Sequence, residues 1–353
     1  MAEHYVTIDD LFLPVLFLVF ISGLTSVFAA NYYLKPSKTT AAKWSIWCLY
    51  LLSSVSFLGQ LRKTWMRDFL HQFELVTEPV LWQRRLADFI LAHKLTLDTT
   101  ENYWITSQLL LFTLSFVVFI NMYSKDMDLK LHHIFGYIAL GLTSSFGGVL
   151  ALVLVHFCQA TSATPFVAKV TTGRFYLQVL STVLGCAIVV YHNKASLPQV
   201  NIIMVLFLAT TFLLPFANFS IQGIKPIYTT NTSIFFFLIF LGAFITLHHI
   251  IATFMVAHEW LNFKMFSLVA FGAPYQLAIS VDLICCTIIV STFVILELFA
   301  LKTLQLKFKN SGRYVFKLLL LFFICPVILI LTFIISPGAM LSLFLAYREK
   351  VVP

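Results

Sequence analysis

Long apolar runs, broken at intervals by short polar or basic stretches, dominate the pattern along this chain. A helix needs about 20 mostly apolar residues to cross roughly 30 Å of hydrocarbon. Nine stretches approach that length: Leu11–Tyr33, Trp44–Leu61, Tyr103–Tyr123, Leu131–Phe157, Phe175–Tyr191, Val200–Asn218, Ile234–Ala257, Ala278–Leu301 and Leu318–Tyr347. The second and fifth are short, and Phe266–Tyr275, with Gly272 and Pro274, reads as an interfacial or re-entrant segment. The expected fold is therefore all-α: a polytopic transmembrane helical bundle of about nine spans (eight to ten), forming one multi-pass membrane domain over residues 1–353.

The long polar interruption, residues 62–101, has its own period. Trp65, Phe69, Phe73 and Val76 recur every three or four residues, as do Leu81, Leu86, Phe89 and Ile90, while Arg62, Lys63, Arg67, Arg84 and Arg85 take other positions. That pattern predicts two amphipathic helices lying in the membrane interface between spans 2 and 3. Two short helices packed on the ends of the spans fit it as well. Forty residues are too few for a separate catalytic domain, so any chemistry belongs among the spans.

Composition agrees: 60% of the 353 residues are hydrophobic and 11% charged, with a mean hydropathy of +0.92, where a soluble domain carries about 25% charge. The net charge of +8 does not point to nucleic acid, because the basic residues fall in short loops between apolar runs. Membrane lipid is the partner that this pattern implies. The 37 Phe residues read as lipid-facing or helix-packing bulk, and the six Cys, without CxxC spacing, as small core residues rather than a zinc site or disulfide framework.

Charge also orients the chain. The first span follows Glu3, Asp9 and Asp10 and exceeds the usual signal core of about 7–15 residues, so it is expected to persist in the mature protein. Lys35, Lys38 and Lys43 follow it, which by the positive-inside rule places that loop in the cytosol and the N-terminus outside or in the lumen. Counting onward puts the loop after the sixth span in the lumen. The sequons at Asn218 and Asn231, candidate glycosylation sites, lie in that loop. The same count puts the basic stretch Lys302–Lys317 in the lumen, against the rule, which leaves the parity of the last third open.

Candidate chemistry is sparse. His132, His133, His156, His192, His248, His249 and His258 lie in or beside spans, yet no HxxHH or HxxxH box of the di-iron type occurs. His132 or His133 and His156 stand at opposite ends of one predicted helix, so they do not pair across a haem; His133 with His192 or His249 stays geometrically open. No cofactor or metal is assigned. Asp282 and Glu297 are the strongest candidates, since an acid inside a span is costly and ordinarily faces a partner or a polar path. Asp282 is expected to face other helices, with Leu283, Ile284, Ile288 and Ile289 supplying the lipid face. Gly136, Gly141, Gly147 and Gly148 mark close helix packing.

One stretch goes further. His258-Glu259-Trp260-Leu261-Asn262-Phe263-Lys264-Met265-Phe266-Ser267, followed by Ala273-Pro274-Tyr275, resembles the C-terminal membrane part of the GPI ethanolamine phosphate transferases. Phe263, Lys264, Phe266 and Ser267 match that family's Trp, Lys, Phe and small residue; His258 is displaced by one position, and Leu268 stands where a proline follows in the family. Glu101-Asn102-Tyr103-Trp104 is similar to an acidic and aromatic motif of the same family. No counterpart of the family's catalytic domain, with its Thr or Ser nucleophile and zinc, is expected within these 353 residues. The resemblance thus implies an accessory or divergent membrane module of GPI-anchor biosynthesis in the endoplasmic reticulum membrane, not catalytic alone, with GPI lipid intermediates or another membrane subunit as partners. His258 and Lys264 join Asp282 and Glu297 as candidate functional positions. The alternative is a carrier or receptor for a polar solute, with the two acids lining its path.

Overall fold

The computed structural model describes residues 40–60, 100–143, 145–163, 168–192, 206–207, 209–213, 227–260, 274–300 and 313–351. The described residues form an all-α fold. Its helices are α1 (Thr40–Gln60), α2 (Thr100–Tyr123), α3 (Leu131–Thr143), α4 (Phe146–Ala163), α5 (Thr172–His192), α6 (Asn231–Trp260), α7 (Pro274–Ala300), α8 (Arg313–Ile335) and α9 (Pro337–Val351), with a π turn at Ala209–Leu213. In hydrocarbon every backbone N–H and C=O has to be satisfied within the protein, and long helices do this without outside partners.

Four of these helices are long and apolar enough to cross a membrane: Tyr103–Tyr123, Thr172–Tyr191, Asn231–Val256 and Val281–Leu298. A fifth follows if the bent pair α8–α9 is counted as one span. The protein is thus a multi-pass membrane protein, although the described residues carry fewer spans than the nine expected. The expected first span Leu11–Tyr33, most of Val200–Asn218, and all of the amphipathic stretch 62–101 but Thr100 and Glu101, which open α2, lie outside them. Exposed apolar side chains are consistent with lipid-facing surfaces: Phe236, Phe240, Leu247, Ile251 and Phe254 on α6, and Phe323, Val327, Ile330 and Ile334 on α8.

The core is α2, enclosed by α4, α5, α6, α7 and α9. Its residues from Leu111 to Tyr123 are almost wholly buried. Phe119 and Tyr123 of α2, Phe157 of α4, Phe293 of α7 and Phe344 of α9 form one aromatic cluster, with ring centroids 5.3 to 5.6 Å apart in contacting pairs. Each such pair contributes about 0.5–1.5 kcal/mol beyond burial. α9 lies parallel to α2, as Gly338 against Phe112, Ser342 hydrogen-bonded to Ser115 at 3.1 Å, and Glu349 bonded to Tyr123 show. It runs antiparallel to α6, where Leu343 packs on Gly242 and Lys350 lies over the Phe235 ring at 5.9 Å.

Two expected spans are broken. Leu131–Phe157 is not one helix: α3 and α4 fold back on each other, so that Tyr137 Oη lies 2.7 Å from His156 Nε2. A straight helix would hold those nineteen residues about 28 Å apart. The cause is local. Ser145 restarts the helix as an N-cap, its Oγ accepting from Gly148 N–H at 3.0 Å and its carbonyl accepting from Val149 N–H at 3.1 Å. The premise that His133 and His156 stand at opposite ends of a helix fails with it. Leu318–Tyr347 is likewise two helices, bent by 115° at Ser336, which has φ 82. Pro337 suits the first position of α9 because it has no N–H to leave unsatisfied.

The fold-back changes the topology. Thr171 and Tyr228 form an antiparallel bridge, with Thr172 N–H to Ile227 O at 2.8 Å and Thr229 N–H to Val170 O at 2.9 Å, and Lys125 Nζ donates to Tyr228 Oη at 3.3 Å. The segments around 124–130, 168–174 and 227–233 therefore share one end of the bundle with Arg348 and Lys350. α1 runs antiparallel to α4, as Ser56 pairs with Ser145 and Ser53 with Gly148, so its start, after Lys35 and Lys38, points to the same end. α7 also finishes there, with Glu297 beside Arg348. The parity counted from sequence put residues 124–130 and 227–233 on opposite sides; a hairpin that enters and leaves by one end removes that difference.

Lys125, Lys130, Lys169, Arg174 and Lys350 gather at this end beside Asp126, Asp128 and Glu349, and by the positive-inside rule, which counts the basic residues, it is expected to be the cytosolic one. We expect single cysteines at Asp128 and Thr230, introduced into a cysteine-free chain, to react with an impermeant maleimide from the same side, the cytosol. Labelling from opposite sides would overturn the hairpin. Asn231, exposed at the start of α6 on that end, should then carry no glycan, and enzymatic deglycosylation should leave its mobility unchanged.

Candidate functional site

Asp282 is 5% exposed and faces helices, as its cost in lipid requires. Its Oδ1 accepts from Ser145 Oγ at 2.7 Å and from Gly147 N–H at 3.0 Å, and its Oδ2 accepts from Phe146 N–H at 2.9 Å. These are the first donors of α4, which point into the bundle at the tip of the α3–α4 hairpin with no helical partner of their own. A carboxylate supplied by α7 satisfies them and meets the positive end of the helix dipole. Ser56 of α1 completes the arrangement, its Oγ 2.8 Å from Ser145 Oγ. The contact is close because position 147 has no side chain: a Cβ there would lie 3.0 Å from Cys285 Cβ, 3.0 Å from Ser56 Oγ and 3.3 Å from Asp282 Oδ1.

Glu297 lies at the other end of α7, where Arg348 Nε stands 3.7 Å from its Oε2, with both side chains buried. The Arg348 guanidinium also covers Phe157 at 4.7 Å and Tyr123 at 5.8 Å. Its neighbour Glu349 accepts from Tyr123 Oη and, through both oxygens, from Ala168 N–H at 3.1 and 3.2 Å. α2, α4, α7, α9 and the segment before α5 are thus joined at one charged centre. Just beyond the spans, burial raises the Asp126 carboxyl above its ordinary range, against the pull of Lys169, Lys125 and Arg348. A polar ladder continues sideways: Arg174 Nη2 donates to Asn121 Oδ1 at 2.9 Å, Asn121 Nδ2 to Gln178 Oε1 at 2.7 Å, and Gln178 Nε2 to Thr182 Oγ1 at 3.2 Å.

A third polar group occupies the opposite end. Tyr103 Oη lies 3.0 Å from His248 Nε2, Trp104 Nε1 donates to Thr253 Oγ1 at 2.9 Å, and the Trp104 and His249 rings are 5.7 Å apart. Gln108, one turn along α2, is fully buried. Asp282 and Glu297, paired in sequence as candidates, serve separate sites; the fifteen residues between them span about 22 Å at 1.5 Å each. His258 lies in the last turn of α6, and Lys264 and Asn218 are outside the described residues. Among the described residues no group of three or more His, Cys, Asp or Glu is arranged to hold a metal.

Sequence reasoning passed over Arg348, Glu349, Tyr123 and Gln108. Arg348-Glu349-Lys350 directly follows an apolar run and reads as a flank in water, and Gln108 reads as the fringe of a span. No family model, curated protein or solved structure matches the chain.

The capping role sets the expected effect of Asp282 variants. Asp282→Leu leaves two N–H groups and a hydroxyl unsatisfied, at about 1–3 kcal/mol each, so folded protein should fall sharply in size-exclusion chromatography of a fluorescent fusion. Asp282→Asn keeps one acceptor and should retain more. Normal abundance of the leucine variant would sink the cap. At the charged centre, Arg348→Met alone should cost about 3–5 kcal/mol by stranding acids, and adding Glu297→Gln should recover part of that loss in the thermal unfolding midpoint.

Proposed function

We propose that the chain is an accessory membrane module that holds a polar lipid intermediate at the end opposite its basic face, within GPI-anchor assembly in the endoplasmic reticulum membrane. One observation carries the reading. The two stretches that resemble the ethanolamine phosphate transferases, residues 101–104 and 258–275, are 154 positions apart in sequence by their last and first members, yet Tyr103 and Trp104 pack against His248, His249, Thr253 and Val256, just before His258. The first stretch thus packs on the turns of α6 that lead into the second, at one end of two antiparallel helices. By the charge rule that end is lumenal, where the phosphoethanolamine transfer of that family takes place.

The reading assigns no transfer chemistry to the chain itself; its part is to bind a lipid or a catalytic subunit. The carrier reading draws on the two helices broken within the bundle, since discontinuous helices are a common device of transporters. It needs acids free to meet a solute. Here both oxygens of Asp282 are committed to α4, and Glu297 is paired with Arg348, which favours the module.

Lipid profiling of cells lacking the chain tests the choice. A GPI precursor short of phosphoethanolamine should accumulate, and the wild-type chain should reverse it. Unchanged GPI lipids would overturn the reading, and a solute-uptake defect beside normal GPI lipids would establish the carrier.

A further inference from the structure

α8 and α9 together are long and apolar enough to be counted as one crossing, but their junction points elsewhere. Phe323–Ile335 and Pro337–Val351 meet at a bend of 115°. A bend beyond a right angle turns the second helix back against the first, so neither continues the other's advance. Kept over the 23 residues of α8, about 34 Å of helix, that direction covers only about 15 Å along the α9 axis, half of the roughly 30 Å of hydrocarbon.

Both ends of the pair lead to the same place. α7, which precedes it, finishes at the basic end, where Glu297 stands 3.7 Å from Arg348, and Arg348 lies in the last turn of α9. Between Ala300 and Arg313 the sequence carries Lys302, Lys307 and Lys309, and drawing three lysines through hydrocarbon to begin α8 at the far end would be costly. The bend itself lies inside the bundle. Ser291 Oγ of α7, less than two turns before Glu297, is 2.9 Å from Thr332 Oγ1, with both residues buried. Gly338, just past the bend, packs on Phe112, about three turns before Tyr123 on α2.

A turn within hydrocarbon strips backbone groups of their helical partners, and here they are met. The Phe333 carbonyl would ordinarily accept from the N–H four residues on, but that residue is Pro337, which has none. The His249 ring of α6 hydrogen-bonds to the Phe333 backbone instead. Ser336, with φ 82, accepts at its carbonyl from Met340 N–H at 3.0 Å and at its Oγ from Ala339 N–H at 3.5 Å.

We infer that α8 and α9 form a re-entrant hairpin that enters the membrane from the basic end and returns to it, crossing nothing. The start of α8 and the end of α9 then share one side, and the basic excess of Lys302–Lys317 no longer opposes the charge rule. Arg348, Glu349 and Lys350 stay on that side throughout, so the pair can insert into the bundle without carrying a charge across the bilayer.

The test reads sides in the full chain, within sealed membranes. Arg313→Cys and Val351→Cys, each made in a chain otherwise free of cysteine, should react with an impermeant maleimide from the side that labels Asp128→Cys, and from no other. Where that background does not fold, or a position reacts from neither side, a biotin-acceptor peptide takes over. Placed before Arg313 in one chain and after Pro353 in another, it reports its side by which biotin ligase modifies it, a cytosolic or a lumenal one. Modification of both positions from the Asp128 side supports the hairpin. Modification of the two from opposite sides restores a crossing and overturns it, and so does finding both on the side opposite Asp128.

Discussion

A carboxylate from one helix capping the N-terminus of another, deep in the bundle, is the interaction on which the rest of this structure depends. A helix that restarts within hydrocarbon exposes donors that neither lipid nor its own turns can satisfy. Asp282 meets those of Phe146 and Gly147 together with the hydroxyl of Ser145. Without it α4 would gain by fusing with α3 into one crossing. With it the segment returns to the end it came from, and the helices that follow keep the order in which α5, α6 and α7 pack around α2.

The two kinds of buried charge here solve different problems. Asp282 balances backbone dipoles and needs no counter-ion nearby. Glu297, Arg348 and Glu349 balance one another at the basic end, with aromatic rings closing over the guanidinium. Buried pairs of this kind add little net stability over apolar packing, but they strongly penalise mispairing. α9, otherwise a run of small and aliphatic residues able to slide along α2 and α6, is fixed in register by Tyr123 and Glu297.

Membrane character and the helices α2, α5, α6 and α7 were legible in the sequence, because an apolar run of sufficient length is itself the physical requirement for crossing. The hairpin was not. Leu131–Phe157 has the length and composition of a span, and what folds it is a serine, two glycines and an aspartate 137 positions after Ser145. That Asp282 would turn from lipid follows from cost alone; which donors it would meet does not. Arg348 and Glu349 were hidden by position, since charges after an apolar run ordinarily mark its emergence into water. Gln108 was hidden by its ordinary place among polar residues at the mouth of a helix.

α9 comes later in the chain than every helix it touches, and yet it lies at the centre of the bundle, buried from Pro337 almost to Glu349. Earlier segments therefore leave the translocon with a groove along α2 and α6 that nothing yet fills, lined by Phe112, Ser115 and Gly242. Until α9 arrives, lipid tails or a chaperone must occupy that groove. Assembly of this bundle thus includes the docking of α9 between helices that precede it in the chain, not only a sequential stacking of finished spans.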